Sequence, residues 1–221
     1  MPECRYTLLM SGRAELEEKK SRFLAQSFFV RSEAEVAEIL ATVRKEHYDA
    51  RHVCSAYVLF GNPPLEKSSD DGEPAKTAGL PMLDLLRAAS LCNTLVTVTR
   101  YFGGIKLGTG GLVRAYTAAT KGALEQAVIA ELLPAVRLSL TVDYGLYGKV
   151  SRLAEDCAGT VLSLDFLAEV SLCLLFRVED SARFLAALTE LSGGSLTPDS
   201  AETLTCVERD GKLTPIQLDA C

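Results

Sequence analysis

The sequence predicts a mixed α+β protein of two domains, the second of them ferredoxin-like. Three observations carry this. Strand and helix patterns alternate along the first 134 residues around a glycine-rich turn. After Pro134 a second series follows in the order β-α-β-β-α-β, the split βαβ arrangement in which helices cover an antiparallel sheet. The charge changes at the same point: up to Pro134 there are 16 Lys and Arg against 16 Asp and Glu, and beyond it 7 against 13. The second half therefore holds the whole net charge of −6. These readings bound an N-terminal domain at 1–134, a C-terminal domain at 135–208 and a tail at 209–221.

In the first domain Phe23 to Val30 reads as a buried strand, and Ser32 with Glu35 forms a capping box for the following helix. Val36, Ile39, Leu40, Val43 and His47 make that helix's apolar stripe. Val53 to Phe60 is a second strand, followed by a long polar segment from Gly61 to Thr77. Gly79-Leu-Pro81 opens a helix with Met82, Leu85, Leu86 and Ala89 on one face, Pro81 lying in its first turn. Leu95 to Tyr101 is a β-branched strand. It runs into Phe102-Gly-Gly-Ile-Lys-Leu-Gly-Thr-Gly-Gly111 and then a helix marked by Leu112, Ala115, Tyr116, Ala119 and Ala123. In the second domain Val136 to Tyr144 alternates as a strand, and Leu146, Val150, Leu153 and Cys157 mark a helix stopped at Gly159. Strands at Thr160 to Phe166 and Glu169 to Val178 follow, then a helix from Ser181 with Phe184, Leu188 and Leu191, and a last strand from Ala201 to Glu208.

With 221 residues, 48% hydrophobic and 24% charged, the chain can bury a core without covalent staples. No apolar run reaches the roughly 20 residues of a membrane helix, and Met-Pro-Glu-Cys-Arg-Tyr lacks the basic start and apolar stretch of a secretory signal. The expectation is a cytoplasmic protein with no membrane contact. Its seven cysteines are odd in number, widely spaced and free of C-x-x-C, the usage of reduced thiols rather than of a disulfide framework. With only two histidines, His52-x-Cys54 has no second pair for zinc.

Chemistry concentrates in three places. The first is the glycine segment. Gly103, Gly104, Gly108, Gly110 and Gly111 permit positive φ and close backbone approach, and a helix start offers free N–H groups to an anion. Thr109 stands where a P-loop needs Lys, and Val113 where a dinucleotide turn needs Gly, so neither motif is present. A tight structural turn is the alternative; Lys106 among the glycines favours a ligand-facing loop. From Leu85 to Leu124 there is no acid, while Arg87, Arg100, Lys106, Arg114 and Lys121 add five positive charges. With Tyr101 and Phe102 this suggests a basic patch that binds and stacks nucleic acid, although alternation sends the two rings to opposite faces.

The second place is Asp70-Asp71-Gly72-Glu73, whose three carboxylates could hold Mg²⁺, pair with the basic patch, or form a solvated loop. The third is His52 and Cys54, two apart on a strand and so on one face, as a base–thiol pair or as packing. The candidate catalytic residues are thus His52, Cys54, Asp70, Asp71 and Glu73. The candidate anion-binding residues are Arg100, Tyr101, Lys106, Thr109, Arg114 and the five glycines.

Asp70-Asp71-Gly72-Glu73-Pro74, Thr77-Ala78-Gly79-Leu80-Pro81, and the run from Arg100-Tyr101-Phe102-Gly103-Gly104 to Tyr116 closely resemble the IMPACT/YigZ family. Lys20-Ser21-Arg22-Phe23 and Arg51-His52-x-Cys54-x-Ala56-Tyr57 fit its pattern too, with Val53 where the family usually has Asn. The resemblance covers about the first 130 residues. It implies an N-terminal domain similar to the second domain of a small-subunit ribosomal protein and to domain IV of elongation factor G, followed by a domain similar to domain V of that factor. It also implies a translation-associated regulator: eukaryotic members compete for the activator of a stress kinase, and some relatives have been described as peptidases or hydrolases. Three functions are thus expected in competition. They are RNA, nucleotide or ribosome binding through a basic glycine-rich cleft; metal-assisted hydrolysis of a phosphorylated or peptide substrate; and a protein partner held by the acidic C-terminal domain.

Overall fold

The computed structural model describes residues 4–216. The chain is a two-domain mixed α/β protein that divides after Glu131. Pro134, the expected boundary, is the second residue of the strand that opens the next unit.

The N-terminal unit is built on a five-stranded antiparallel sheet. Its strands are β2 (Arg13–Glu18), β3 (Ser21–Phe29), β4 (His52–Leu59), β5 (Leu65–Ser69) and β6 (Thr94–Tyr101), in the order β2-β3-β6-β4-β5. β6 is central and buried along nearly its whole length, hence its unbroken Leu-Val-Thr-Val-Thr run. Helix α1 (Glu33–Glu46) starts on Ser32, whose hydroxyl accepts the Glu35 N–H. Its Val36 packs with Val30, Tyr57, Leu59 and Leu95 on one face of the sheet. Helices α2 (Gly79–Ala88) and α3 (Thr109–Glu125) cover the other face, where Cys54, Val98 and Phe23 point. β1 (Tyr6–Met10) pairs with β7 (Val128–Glu131) in a separate two-stranded ribbon.

The C-terminal unit runs β8 (Leu133–Val142), α4 (Tyr144–Asp156), β9 (Thr160–Phe166), β10 (Val170–Arg177), α5 (Val178–Ser192), β11 (Ser200–Arg209) and β12 (Lys212–Pro215). All pairings are antiparallel, in the order β12-β11-β8-β10-β9. Leu138, Leu140, Leu172, Leu174 and Phe176 point to one face and meet Val150, Ala154, Phe184 and Leu188 of the helices. Asp143 caps α4 by accepting the Leu146 N–H, and Gly193 ends α5 in the left-handed conformation.

Five strands lie where the sequence pattern was silent. β5 occupies part of the segment read as a polar loop, because an edge strand such as Leu-Glu-Lys-Ser-Ser has one neighbour and exposes charge. β2 is likewise a charged edge, and β1 and β7 have only each other in their sheet. Where a tail was expected from residue 209, Lys212–Pro215 folds back on β11 as β12.

Phe176 is fully buried and its ring stacks on Phe184 at 4.6 Å between centroids. Phe176→Ala is expected to destabilise the C-terminal unit by about 3–5 kcal/mol in urea denaturation. Leu167→Ala, at a position 76% exposed, should change stability by no more than about 0.5 kcal/mol.

Candidate functional site

The site forms where three strands of the N-terminal sheet align Phe23, Arg100 and His52 in one row on the α2–α3 face. Arg100 is the next-to-last residue of β6, and its guanidinium stays inside the protein. Nη1 donates to Glu73 Oε1 at 2.6 Å, with the two side chains only 7% and 3% exposed. The cation lies 5.5 Å from the Phe23 ring centroid and 5.6 Å from that of Phe102. Glu73 Oε1 accepts a second hydrogen bond, from the Tyr116 hydroxyl at 2.9 Å, and Tyr116 meets Phe23 edge-to-face.

The acidic loop between β5 and α2 is a folded knot in which each carboxylate has its own task. Asp70 Oδ1 accepts the N–H groups of Ala78 and Gly79, both at 2.9 Å, and Oδ2 accepts that of Lys76 at 2.7 Å. The N-cap of α2, Ala78, has no side-chain cap, so Asp70 supplies it from eight residues upstream. Burial pushes the Asp70 carboxyl up, but these backbone donors outweigh it and hold the group below its ordinary range. Asp71 Oδ2 accepts the Val53 N–H at 2.7 Å, and its other oxygen pairs with Arg44. The Asp71 carbonyl meets His52 Nδ1 at 2.7 Å. A carbonyl only accepts, so Nδ1 carries a proton and donates here.

The loop therefore spreads its acids. Among the described residues no group of three His, Cys, Asp or Glu side chains could hold a metal ion, and the Mg²⁺ site expected at Asp70, Asp71 and Glu73 is corrected on that geometry. The His52–Cys54 pairing is corrected as well. The Cys54 thiol is fully buried, donates to the Asp70 carbonyl at 3.1 Å, and is pushed up to about 12 by burial, so it is not a thiolate near neutral pH. The metal-assisted hydrolase expectation thereby loses the three-carboxylate cluster on which it was read.

The glycine segment shapes the opposite wall. A Cβ on Gly103 would lie 2.0 Å from the Lys20 carbonyl carbon, so the loop fits against the β2–β3 turn only without a side chain. Gly104 and Gly108 have φ of +84° and +74°. Gly108 is the N-cap of α3, which has no side-chain cap and no acid in its first turn. The first intrahelical bond runs from the Leu112 N–H to the Gly108 carbonyl. The amides of Thr109, Gly110 and Gly111 precede it and have no partner within the helix.

Both loops border one cleft of about 410 Å³. It is lined by Glu73 and Pro74 of the acidic loop, by Lys106 to Thr109 of the glycine segment, by Arg100 and Phe102 where β6 ends, and by Arg51 and His52 where β4 begins. Lys106 and Thr109 are exposed, and Arg114 lies on the exposed side of α3 beside Gly110. Tyr101 leaves the candidate set: strand alternation turns it to the α1 face, where its hydroxyl bonds His47 Nδ1 at 2.9 Å and Asp49 at 3.3 Å. The acid-free stretch is not one basic patch either. Arg87 pairs with Glu66 at 2.6 Å and Asp84 at 3.0 Å, Lys121 with Glu125 at 3.7 Å, and Arg100 is neutralised by Glu73. Sequence pattern missed Ser21, whose hydroxyl accepts the Gly103 N–H at 3.2 Å, and the hydroxyl role of Tyr116, which helical period marks only as core.

Residues 19–124 match the model of the Impact N-terminal domain, and residues 140–195 that of a domain of unknown function, DUF1949. The chain is 34% identical over 204 residues to the IMPACT family member YvyE of Bacillus subtilis, covering 92% of this chain and 94% of that protein. It belongs to the IMPACT family. It is also 38% identical over 183 residues to the family member YigZ of Escherichia coli, covering 81% and 89% of the two chains. A crystal structure titled as that of a hypothetical protein superposes with a TM-score of 0.57 at 34% identity, covering 88% of this chain and 95% of that one. The Asp-Asp-Gly-Glu-Pro stretch of the Impact domain is thus the knot described above, and Arg-Tyr-Phe-Gly-Gly enters the glycine wall.

Asp70→Asn retains one acceptor oxygen but turns an amide N–H₂ toward the Lys76 N–H, and should cost about 1 kcal/mol at pH 7. Because the folded-state carboxyl titrates below its ordinary value of 3.8, the wild-type advantage is complete above that value and is lost as the pH falls through the lower folded-state value. Urea denaturation of both proteins at neutral and acid pH should show the gap closing in acid.

Proposed function

We propose that the N-terminal domain binds a phosphate-bearing ligand, RNA or a nucleotide, in the cleft between the acidic and glycine loops, and that the protein acts in translation through this site. One observation carries the reading: the uncapped start of α3, with Lys106 beside it, opens onto a cleft whose own carboxylate is already paired with Arg100. An anion entering there meets free backbone donors and a lysine without opposing an unpaired acid. Arg51 and the exposed ring of Phe102 add a second cation and an apolar surface for a base. Family membership supports the translational setting. The strand order β11-β8-β10-β9 supports reading the C-terminal unit as ferredoxin-like and similar to domain V of elongation factor G. By analogy of fold alone, the resemblance to domains IV and V of that factor points to the ribosome as the partner. No helix among the described residues is long and apolar enough to cross a membrane.

A protein partner on the acidic C-terminal unit is the second reading. It is favoured by Tyr144, Phe166 and Leu167, which are 55%, 53% and 76% exposed and adjoin one another.

Fluorescence anisotropy of a short single-stranded RNA, titrated across 50 to 200 mM salt, tests the first reading. Affinity should fall as salt rises, and Lys106→Ala should weaken binding and reduce the log–log slope by about 0.7. Binding that is absent at low salt, or that salt does not change, would contradict it.

A further inference from the structure

The β2–β3 turn holds two lysines where the backbone disfavours them. Glu18 and Ser21 pair across the hairpin, so Lys19 and Lys20 alone make its two-residue loop. Their φ angles are +48° and +65°, both in the left-handed region. Asn-Gly is the usual occupant of such a loop, because other L side chains are strained at positive φ. Neither lysine is engaged: both residues are exposed, and among the described residues no ion pair holds either of them. On β2, Glu17 shares the α1 face with Glu15, which Arg22 takes at 2.8 Å, so Glu18 is the acid that adjoins the turn.

This turn is seated at the cleft. A Cβ on Gly103 would lie 2.1 Å from the Lys20 carbonyl oxygen, and the Gly103 N–H donates to Ser21 Oγ at 3.2 Å. Gly103 follows Phe102, which lines the cleft. Strand order and register agree with those contacts. β3 and β4 flank β6 on its two sides, with Arg22 opposite Tyr101 and His52 opposite Arg100. At this end of the sheet Lys20 therefore enters β3 on one side of Phe102 and Arg51 enters β4 on the other, on strands two spacings, or about 10 Å, apart. The Phe102 ring lies over Arg100 at 5.6 Å and is 48% exposed. An open aromatic ring thus stands between two groups of unpaired cations.

We propose that this end of the sheet is a track for single-stranded RNA rather than a pocket for one nucleotide, with the Lys19–Lys20 turn as a second phosphate site. Resting on the anion site proposed at α3, the track takes one backbone phosphate on Lys106 and the α3 amides and an unpaired base on Phe102. The phosphate on the far side of that base falls to Lys19 and Lys20. A nucleoside monophosphate has a single phosphate and fills the first position without engaging the turn. Only a chain occupies both. Stacking on Phe102 needs a base freed from its partner, so the track selects single strands over duplexes. Strained backbone persists where the surroundings hold it, and here the close contact with Gly103 does so.

The purified full chain is titrated into a fluorescein-labelled uridine decamer and followed by anisotropy across roughly 50 to 200 mM salt. Lys19→Asn combined with Lys20→Gly removes both charges and gives the turn the residues its φ angles favour, so its Tm should be no lower than that of the wild type. Its affinity for the decamer at low salt should fall about fivefold or more, and its log–log slope by about 0.7 to 1.4, the loss of one or two phosphate contacts. Uridine 5′-monophosphate, competed against the decamer, should have the same inhibition constant with the wild type and with the turn variant. Wild-type affinity and slope in the turn variant, with Lys106→Ala still weakening the decamer, would overturn the track and leave the cleft reading standing. Absence of decamer binding at low salt would overturn both. An RNA duplex of the same length bound as tightly as the single strand, or monophosphate affinity that falls with the turn variant as far as the decamer's, would also overturn the track.

Discussion

The buried ion pair between Arg100 and Glu73 is the constraint on which the rest of the N-terminal unit's site depends. Moving two charges out of water costs several kcal/mol for each, so the pair persists only if close geometry and further hydrogen bonds compensate. The surroundings supply these: the Tyr116 hydroxyl on Glu73, and the Phe23 and Phe102 rings beside the cation. Once Glu73 is held there, the chain before it has little freedom. Asp71 reaches the start of β4, where it bonds the Val53 amide and His52, and Asp70 reaches the N-terminus of α2. One ion pair thereby fixes a loop, a helix start and the orientation of a histidine. It also leaves Arg100 unable to serve as the free cation that the acid-free stretch suggested.

The residues on which the family resemblance was read have structural tasks. Asp70 caps a helix, Asp71 orients His52, Glu73 neutralises Arg100, and Gly103 fits where no Cβ can. What these residues build is a wall and a floor. The polar and aromatic groups that face the resulting cleft with exposed or half-exposed side chains are Arg51, His52, Phe102, Lys106 and Thr109. Binding chemistry belongs with those groups and with the α3 amides.

Local pattern made the helices and the buried strands legible, since periods of 3.6 and 2 follow from which face meets the core. Leu95 to Tyr101 is the clearest case, with both faces covered. β5 was hidden because an edge strand carries polar residues and resembles a loop. In the site, the glycines were legible because only they tolerate the φ of Gly104 and Gly108 and the close approach at Gly103. The tasks of the acids were not. Arg100 and Glu73 are 27 residues apart, and nothing local distinguishes a carboxylate that will be buried against arginine from one that will stay in water. Charge complementarity allowed a shared cleft for the two loops without deciding it, and the burial that silences Cys54 and Arg100 emerges only from packing.

A double-mutant cycle on Glu73→Gln and Arg100→Gln, read by urea denaturation, tests the central role of the ion pair most directly. Each single change is expected to cost about 3–5 kcal/mol, since it strands a buried charge. The double change should cost much less than the sum, with a coupling of about 2 kcal/mol or more. Costs that add to within about 0.5 kcal/mol, as they do for independent sites, would contradict the account.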